Sequence, residues 1–316
     1  MNRVELSAGK VAVLLATYNG ELYIREQLDS LLHQTHQDFC CFMHDDGSTD
    51  STNVILKQYA DEHPTRYILV EAPGCGGAKA NFMFLISSVQ ADYYMFCDQD
   101  DKWHPEKIQV ILKAMREAEE KNKLVCVHSD LRLVDSLGQE IWDSYYTYSG
   151  KKPQKNSLCD LLKVNTVVGC TMMINRELRN LALDCCNMDK IFMHDWWIAL
   201  LAAARGSIIY VPVPLIDYRQ HGTNNIGARR KRGFLERAVQ NMDFRGAIKA
   251  KKSRQLRMCN FAVELAVILG AQDPNYNFLH KLGNIADEKK WDRIVFYMKN
   301  NLFTDESPHL WQMLWI

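Results

Sequence analysis

An α/β fold with a mostly parallel sheet is predicted, on three observations. Short, continuous apolar runs alternate with amphipathic helical segments, as expected for strands buried on both faces. The links between them are short, which favours one sheet flanked by helices. Polar clusters recur where each predicted strand ends, the edge at which such sheets bind ligands.

The elements follow in order. Val11 to Ala16 is a continuous apolar strand, broken by Thr17-Tyr-Asn-Gly20. A helix follows, with Ile24, Leu28, Leu31 and Leu32 on one face. Phe39 to Met43 reads as a second strand, ending at Asp45-Asp-Gly-Ser-Thr-Asp50, and a helix through Val54, Ile55 and Tyr59 comes next. Tyr67 to Val70 is a third strand, followed by a Gly-rich loop and a helix from about Asn81 to Val89. Tyr93 to Cys97 is a fourth, ending at Asp98-Gln-Asp-Asp101. Pro105 suits the first position of the helix that carries Ile108, Ile111, Leu112 and Met115. Leu124 to Val127 and Val167 to Ile174 are strand-like, His194 to Ala204 is helical, and Ile208 to Val211 is a further strand. Between Leu131 and Asn165 the pattern weakens, and Tyr145, Tyr146 and Tyr148 suggest an irregular surface segment or a loop on the ligand side. After about Gly227 the character turns to basic amphipathic helix. The expected organisation is therefore a catalytic unit over 1–227 and a helical, basic extension over 228–316.

Composition narrows the class. The 316 residues carry no net charge, which gives no reason to expect a nucleic-acid partner. Charge is nevertheless uneven: eleven Lys/Arg and two acids lie between Arg229 and Arg257. The ten cysteines form no paired framework and no C-x-x-C, which suits a reducing cytoplasm. Cys97, Cys126 and Cys170 read as small core residues. No secretory signal and no membrane-spanning run is evident.

Asp98-Gln99-Asp100-Asp101 is the sharpest chemical feature. Three carboxylates within four residues repel one another unless a cation or hydrogen bonds compensate. Hard divalent cations take oxygen ligands and bridge to phosphates, so a diphosphate–metal site is one reading; a solvated turn capping the next helix is the other. Asp45-Asp46-Gly47 reads first as a turn, although a carboxylate there could accept a hydrogen bond from a base imide. Gly74 to Lys79 matches neither a P-loop nor a dinucleotide fingerprint, and a plain loop explains it better than a phosphate cradle. In His194-Asp195-Trp196-Trp197, burial beside tryptophan would raise the Asp195 pKa and suit it to take a proton. A cap followed by core aromatics fits equally. Gln220-His221-Gly222 reads as a polar turn.

Together these segments resemble family 2 glycosyltransferases of the GT-A fold over roughly residues 10–225. The resemblance rests on Ala16-Thr-Tyr-Asn19, Asp45 to Asp50, Asp98 to Asp101 with Trp103, Pro105 and Lys107, Gly169 to Met173, His194 to Trp197, and Gln220-His-Gly222. The Asp-Gln-Asp-Asp and His-Asp-Trp-Trp pair is most similar to the rhamnosyltransferase-like branch that builds bacterial surface polysaccharides. The resemblance implies an inverting, metal-dependent transfer from a dTDP-rhamnose or UDP-hexose donor to a glycan or lipid-linked acceptor. By motif match it places Ala16, Tyr18, Asp46, Asn81 and Asp98 against the nucleotide sugar, and Asp100 and His221 on Mg2+ or Mn2+. Asp195 is implied as catalytic base, and Asp101 is left without a role. A sugar-phosphate nucleotidyltransferase and a non-catalytic nucleotide-sugar-binding protein are the alternatives. Lipid-linked acceptors would place the enzyme in the cytoplasm at the inner face of the membrane. The basic helices, with Phe234, Leu235, Ala238, Val239 and Met242, offer a peripheral contact, or simply pack on the core, as Val263 to Leu269 would. Trp311 and Trp315 are candidates for an interface anchor.

Overall fold

A computed structural model describes residues 4–7, 9–184, 187–221 and 244–303. Its centre is a nine-stranded mixed sheet. Strands β2 (Val11–Thr17), β3 (Phe39–Asp45), β4 (Tyr67–Leu69) and β6 (Tyr93–Asp98) form a parallel half in the order β4-β3-β2-β6. Next to β6 lies β10 (Met172–Asn175), antiparallel to it and to β8 (Val125–Val134). Beyond β8 come β11 (Ser207–Arg219), parallel to it, and the two-residue β7 (Lys102–Trp103). A short β9 (Glu140–Trp142) pairs with β8. Outside this sheet, β1 (Val4–Glu5) pairs with β5 (Val89–Gln90).

The apolar runs are continuous because each central strand is covered on both faces. Along β2, Val11, Val13 and Leu15 enter one core with α1 (Ile24–Leu32), α2 (Thr52–Glu62) and α4 (Lys107–Glu119). Ala12 and Leu14 enter the other, with α3 (Ala78–Ser88), α7 (Arg176–Leu183) and α8 (His194–Arg205). That period-two division is what a pleated strand imposes. The second core also takes in Met258, Phe261, Ala262, Leu265, Ala266 and Leu269 of α9 (Phe244–Leu269). With α10 (Tyr276–Gly283) and α11 (Lys290–Lys299), α9 thus packs on the same hydrophobic body as the sheet. Cys97, Cys126 and Cys170 are buried core residues, and the described cysteines are free.

Several expectations need correcting. Pro105 is not the first helical residue: α4 starts at Lys107, and the Pro105 carbonyl instead accepts the N–H of Thr35 at 2.8 Å. Val167 to Ile174 is not one strand. Gly169–Thr171 forms a turn of 3-10 helix, and pairing begins only at Met172, opposite His128. The stretch from Leu131 to Asn165 is more ordered than its pattern suggests. β8 continues to Val134, α5 (Tyr145–Ser149) is N-capped by Ser144, and α6 (Leu158–Lys163) is capped by Ser157. Cys185-Cys186, Gly227, the Phe234 to Met242 face, Trp311 and Trp315 lie outside the described residues.

Candidate active site

Register brings the polar clusters together. Ala16 lies beside His44 on one flank and Asp98 on the other, and Thr17 lies beside Asp45. Three strands therefore end at one level. The antiparallel β10 is entered from that same edge through Gly169–Thr171. Here a cleft of about 1060 Å³ opens. Ala16, Tyr18, Asp46, Asn81, Asp98, Asp100, Asp195 and His221, scattered over more than 200 positions, all line it. Asp101 does not.

Asp45 and Asp46 are adjacent but differently employed. Asp45 is saturated internally by Thr17 Oγ1 at 2.8 Å, Ser48 N at 2.7 Å, Ser48 Oγ at 2.6 Å and Asn53 Nδ2 at 2.8 Å. It makes the turn. Asp46 faces the cleft and is gripped by the Gly-rich loop: Cys75, Gly76 (2.9 Å) and Gly77 (2.5 Å) donate their backbone N–H groups to its carboxylate. Gly76 and Gly77 have φ of +83° and +118°, a region side chains resist. The loop read as plain is therefore the clamp of Asp46. A carboxylate offers about four acceptor positions, so one remains for a ligand donor. Asn81 lies behind, its Oδ1 2.8 Å from His44 Nδ1.

Gln99 is a positioning residue that the motif reading passed over. Its side-chain amide accepts from Tyr18 N at 2.8 Å and donates to Tyr18 O at 2.9 Å, tying the loop after β2 to the acidic turn. A Cβ on Gly20 would lie 2.3 Å from Gln99 Oε1, so the glycine makes room for this bridge.

The acidic run divides by depth. Asp98, at the end of β6, has its pKa raised to about 7 by burial and then by the charges of Asp100 and Asp195. Asp101 is fully buried under the cleft, with Oδ1 accepting Arg219 N at 3.3 Å and Oδ2 without a partner. Burial holds its carboxyl well above the usual carboxylate range, with Asp100 and Asp98 adding to the effect. Lys107, buried below, donates to the Cys170 carbonyl at 2.7 Å with its ammonium 3.0 Å from the centre of the Trp103 ring. Burial lowers its pKa to about 7, against the raising effect of Asp101 and Asp98. Arg219, also missed, holds the turn by donating to the Asp100 carbonyl at 3.0 Å while pairing with Glu26 at 2.5 Å. Asp100 turns outward to the cleft, 2.8 Å from His221 Nε2 across 121 positions of sequence.

These donors suit a hard divalent cation. Asp98 and Asp100 bring carboxylate oxygens to the cleft, and the His221 imidazole stands beside the outward-facing Asp100 carboxylate. Asp98, Asp101 and Cys170 also bring ligand atoms within 4.8 Å of one another. The thiol and the buried, proton-favouring Asp101 make that deeper set the poorer one for magnesium or manganese.

Asp195 lies in the first turn of α8. It accepts Trp196 N at 2.6 Å and Asn165 Nδ2 at 3.2 Å. Burial raises its pKa to about 6, against the lowering effect of those bonds and of Lys151. Such a carboxylate is ionised at neutral pH yet basic enough to take a proton. The cap reading fails, since the N-cap is Met193, whereas the core-aromatic reading holds for Trp196 and Trp197, both buried. His194 packs between Phe82 and Phe96 at 4.4 and 5.0 Å between ring centres, and burial lowers its pKa to about 3, so it stays neutral. Asn165 is a third positioning residue for which the sequence offered no signal.

Among the described residues no helix is long and apolar enough to cross a membrane. The family model described as glycosyl transferase family 2 matches residues 12–181. The dTDP-rhamnosyl transferase RfbG of Shigella flexneri is 32% identical over 231 residues, covering 68% of this chain and 74% of that one. The putative teichuronic acid biosynthesis glycosyltransferase TuaG of Bacillus subtilis is 29% identical, covering 74% and 90%. S. aureus TarS 1-349 in complex with UDP superposes with a TM-score of 0.54 at 16% identity, covering 94% of this chain and 93% of that one, which establishes a shared GT-A fold. With the ordered motifs converging in one strand-end cleft and more than half of the sequence matched, the chain belongs to glycosyl transferase family 2 and is a nucleotide-sugar glycosyltransferase.

Proposed function

We propose that the protein is an inverting, metal-dependent glycosyltransferase of bacterial surface-polysaccharide synthesis. The single observation that carries this reading is the convergence of Asp195, Asp98, Asp100 and His221 on one cleft. dTDP-rhamnose is the first donor to test, because RfbG is a dTDP-rhamnosyl transferase. UDP-hexoses come second, since TarS has been crystallised with UDP-GlcNAc. The teichuronic acid biosynthesis in TuaG's name supports a glycan acceptor, free or lipid-linked.

In this reading Asp46 takes the base imide with its remaining acceptor position, Ala16 and Tyr18 flank the nucleoside, Asn81 supports that wall, and Asp98 serves the ribose. Asp100 and His221 hold Mg2+ or Mn2+, which when bound supplies positive charge to the leaving diphosphate. Asp195 removes the proton from an acceptor hydroxyl as that oxygen bonds to the anomeric carbon. The carbon–oxygen bond to the diphosphate breaks with its electron pair, and one such displacement inverts the centre. Asp101 is a buried support of the turn. The catalytic unit ends near residue 227, and residues 244–303 of the extension pack on it. Lys249 and Lys252, both exposed on α9, are available to anionic lipid at the inner membrane face.

A thermal-shift panel of nucleoside-diphosphate sugars with MnCl2 tests the reading, since a ligand stabilises the native state according to its affinity and concentration. A specific donor should raise the melting temperature in wild type, with the manganese-dependent part lost in Asp100→Ala. No shift with any donor, and no effect of the substitution, would overturn it.

A further inference from the structure

The far wall of the cleft is built by a segment beyond the family match at 12–181. Helix α9 brings Arg254 and Arg257 to the cleft that Asp195 lines. The Arg257 guanidinium lies 4.9 Å from the ring centre of Phe192 and 6.0 Å from that of Trp196. Those rings meet edge to face at 5.9 Å. Trp196 is buried and Phe192 is 49% exposed, so together they make a shelf beside the base, half of it open to the cleft.

Arg257 lacks an ionic counterpart among the described residues. Among the described residues, no carboxylate lies within ion-pair distance of Arg257. Among the described residues its one hydrogen-bond partner is Ser253 Oγ at 2.9 Å, one turn back on the same helix, and its buried Nε meets none of them. Burial, and then the charge of Arg254, lower its pKa. Other cations near the cleft are differently placed: Arg219 pairs with Glu26 and Lys163 with Asp160. A guanidinium with a buried, unpartnered N–H is costly unless an anion pairs with it, and its planar fork suits phosphate and carboxylate oxygens. The aromatic shelf suits the apolar face of a sugar ring.

We propose that Arg257 and Arg254, with the Phe192–Trp196 shelf, form a subsite for an anionic group, a phosphate or a carboxylate, carried by the acceptor. This deepens the glycosyltransferase reading and rests on it. The subsite lies on the base side of the cleft, where an acceptor must enter. The acidic turn on the other side is left to the donor diphosphate and its cation.

The test uses the full chain with its donor half saturated by a nucleoside diphosphate and MnCl2. Trp fluorescence or calorimetry follows the binding of hexyl phosphate, hexyl glucuronide and hexyl glucoside. At least one anionic probe should bind about tenfold or more tightly than the neutral glucoside, a margin in the range of charge-assisted hydrogen bonds. Preference for the phosphate or for the glucuronide identifies which group the acceptor carries. Arg257→Ala should bring the anionic probe to the level of the glucoside, and Arg257→Lys should recover part of the loss. Retained nucleoside diphosphate binding in these variants shows that they fold; if Arg257→Ala does not fold, Arg257→Gln replaces it. Equal binding of the three probes by wild type, no change in a folded Arg257 variant, or displacement of the anionic probe by the nucleoside diphosphate would each overturn the proposal. Failure of the parent reading looks different, because then no nucleoside-diphosphate sugar binds at all.

Discussion

The two sides of the cleft hold an aspartate in opposite ways. On the nucleotide side, Asp46 is met by three backbone N–H groups from one glycine loop. On the other side, Asp195 sits among aromatics with few donors, and burial raises its pKa to about 6. Donors aimed at a carboxylate favour its charged form; loss of water favours the neutral one. In the proposed mechanism one residue type thus supplies a fixed acceptor at one end and a proton acceptor at the other. The contrast lies in what surrounds each carboxylate and can be broken one side at a time.

The largest expected effect is on the base. Asp195→Asn should lower turnover about a thousandfold, within the range for losing a general base, while donor affinity changes less than twofold. Steady-state kinetics and donor titration separate the two, and unchanged turnover would remove Asp195 from the mechanism. In wild type, kcat/KM should rise about tenfold per pH unit below about 6 and level off above it, because the deprotonated form is the active one.

Next comes stability, with the opposite sign. The folded pKa of Asp195 is raised, so its ionised form is held at a cost. That cost is present in full above the folded pKa and absent below the unfolded value of about 3.9. Asp195→Asn should therefore stabilise the fold by about 3 kcal/mol at pH 8 and by nothing measurable near pH 3. Denaturant melts at both pH values check this; equal effects would mean that the gain is not electrostatic.

On the nucleotide side, Gly77→Ala puts a Cβ at φ +118°. A strain of about 1–2 kcal/mol should pull the loop off Asp46 and weaken donor binding about tenfold, with turnover at saturation little changed. A substitution that lowered turnover but spared binding would show that the loop serves chemistry instead. The smallest effect belongs to Gln99→Ala, which removes two exposed hydrogen bonds to Tyr18. Roughly a twofold to fivefold rise in donor KM is expected, from about 0.5–1 kcal/mol.

Much of this contrast was legible before any coordinates. β2, β3 and β6 announce themselves as apolar runs because both faces are covered, and the acids that end β3 and β6 follow directly. Asp195 stood out because an aspartate beside two tryptophans is unusual. The supports did not stand out. Gly76 and Gly77 look like any loop glycines until their amides are seen on Asp46, and Gln99, Asn165 and Arg219 act across 81, 30 and 119 positions. Strand length failed for a related reason. Val167 and Val168 are good strand residues, but a strand needs a partner, and β10 finds His128 only at Met172.

The level ending of β2, β3 and β6 also constrains how the gene can change. Inserting one codon within β6 would move Asp98 about 3.3 Å along its neighbour and turn it to the other face of the sheet. It would then point into a packed core instead of toward the ligand. Insertions should therefore be tolerated in the connections behind the sheet, which leave the strand ends in step, and not within β2, β3 or β6.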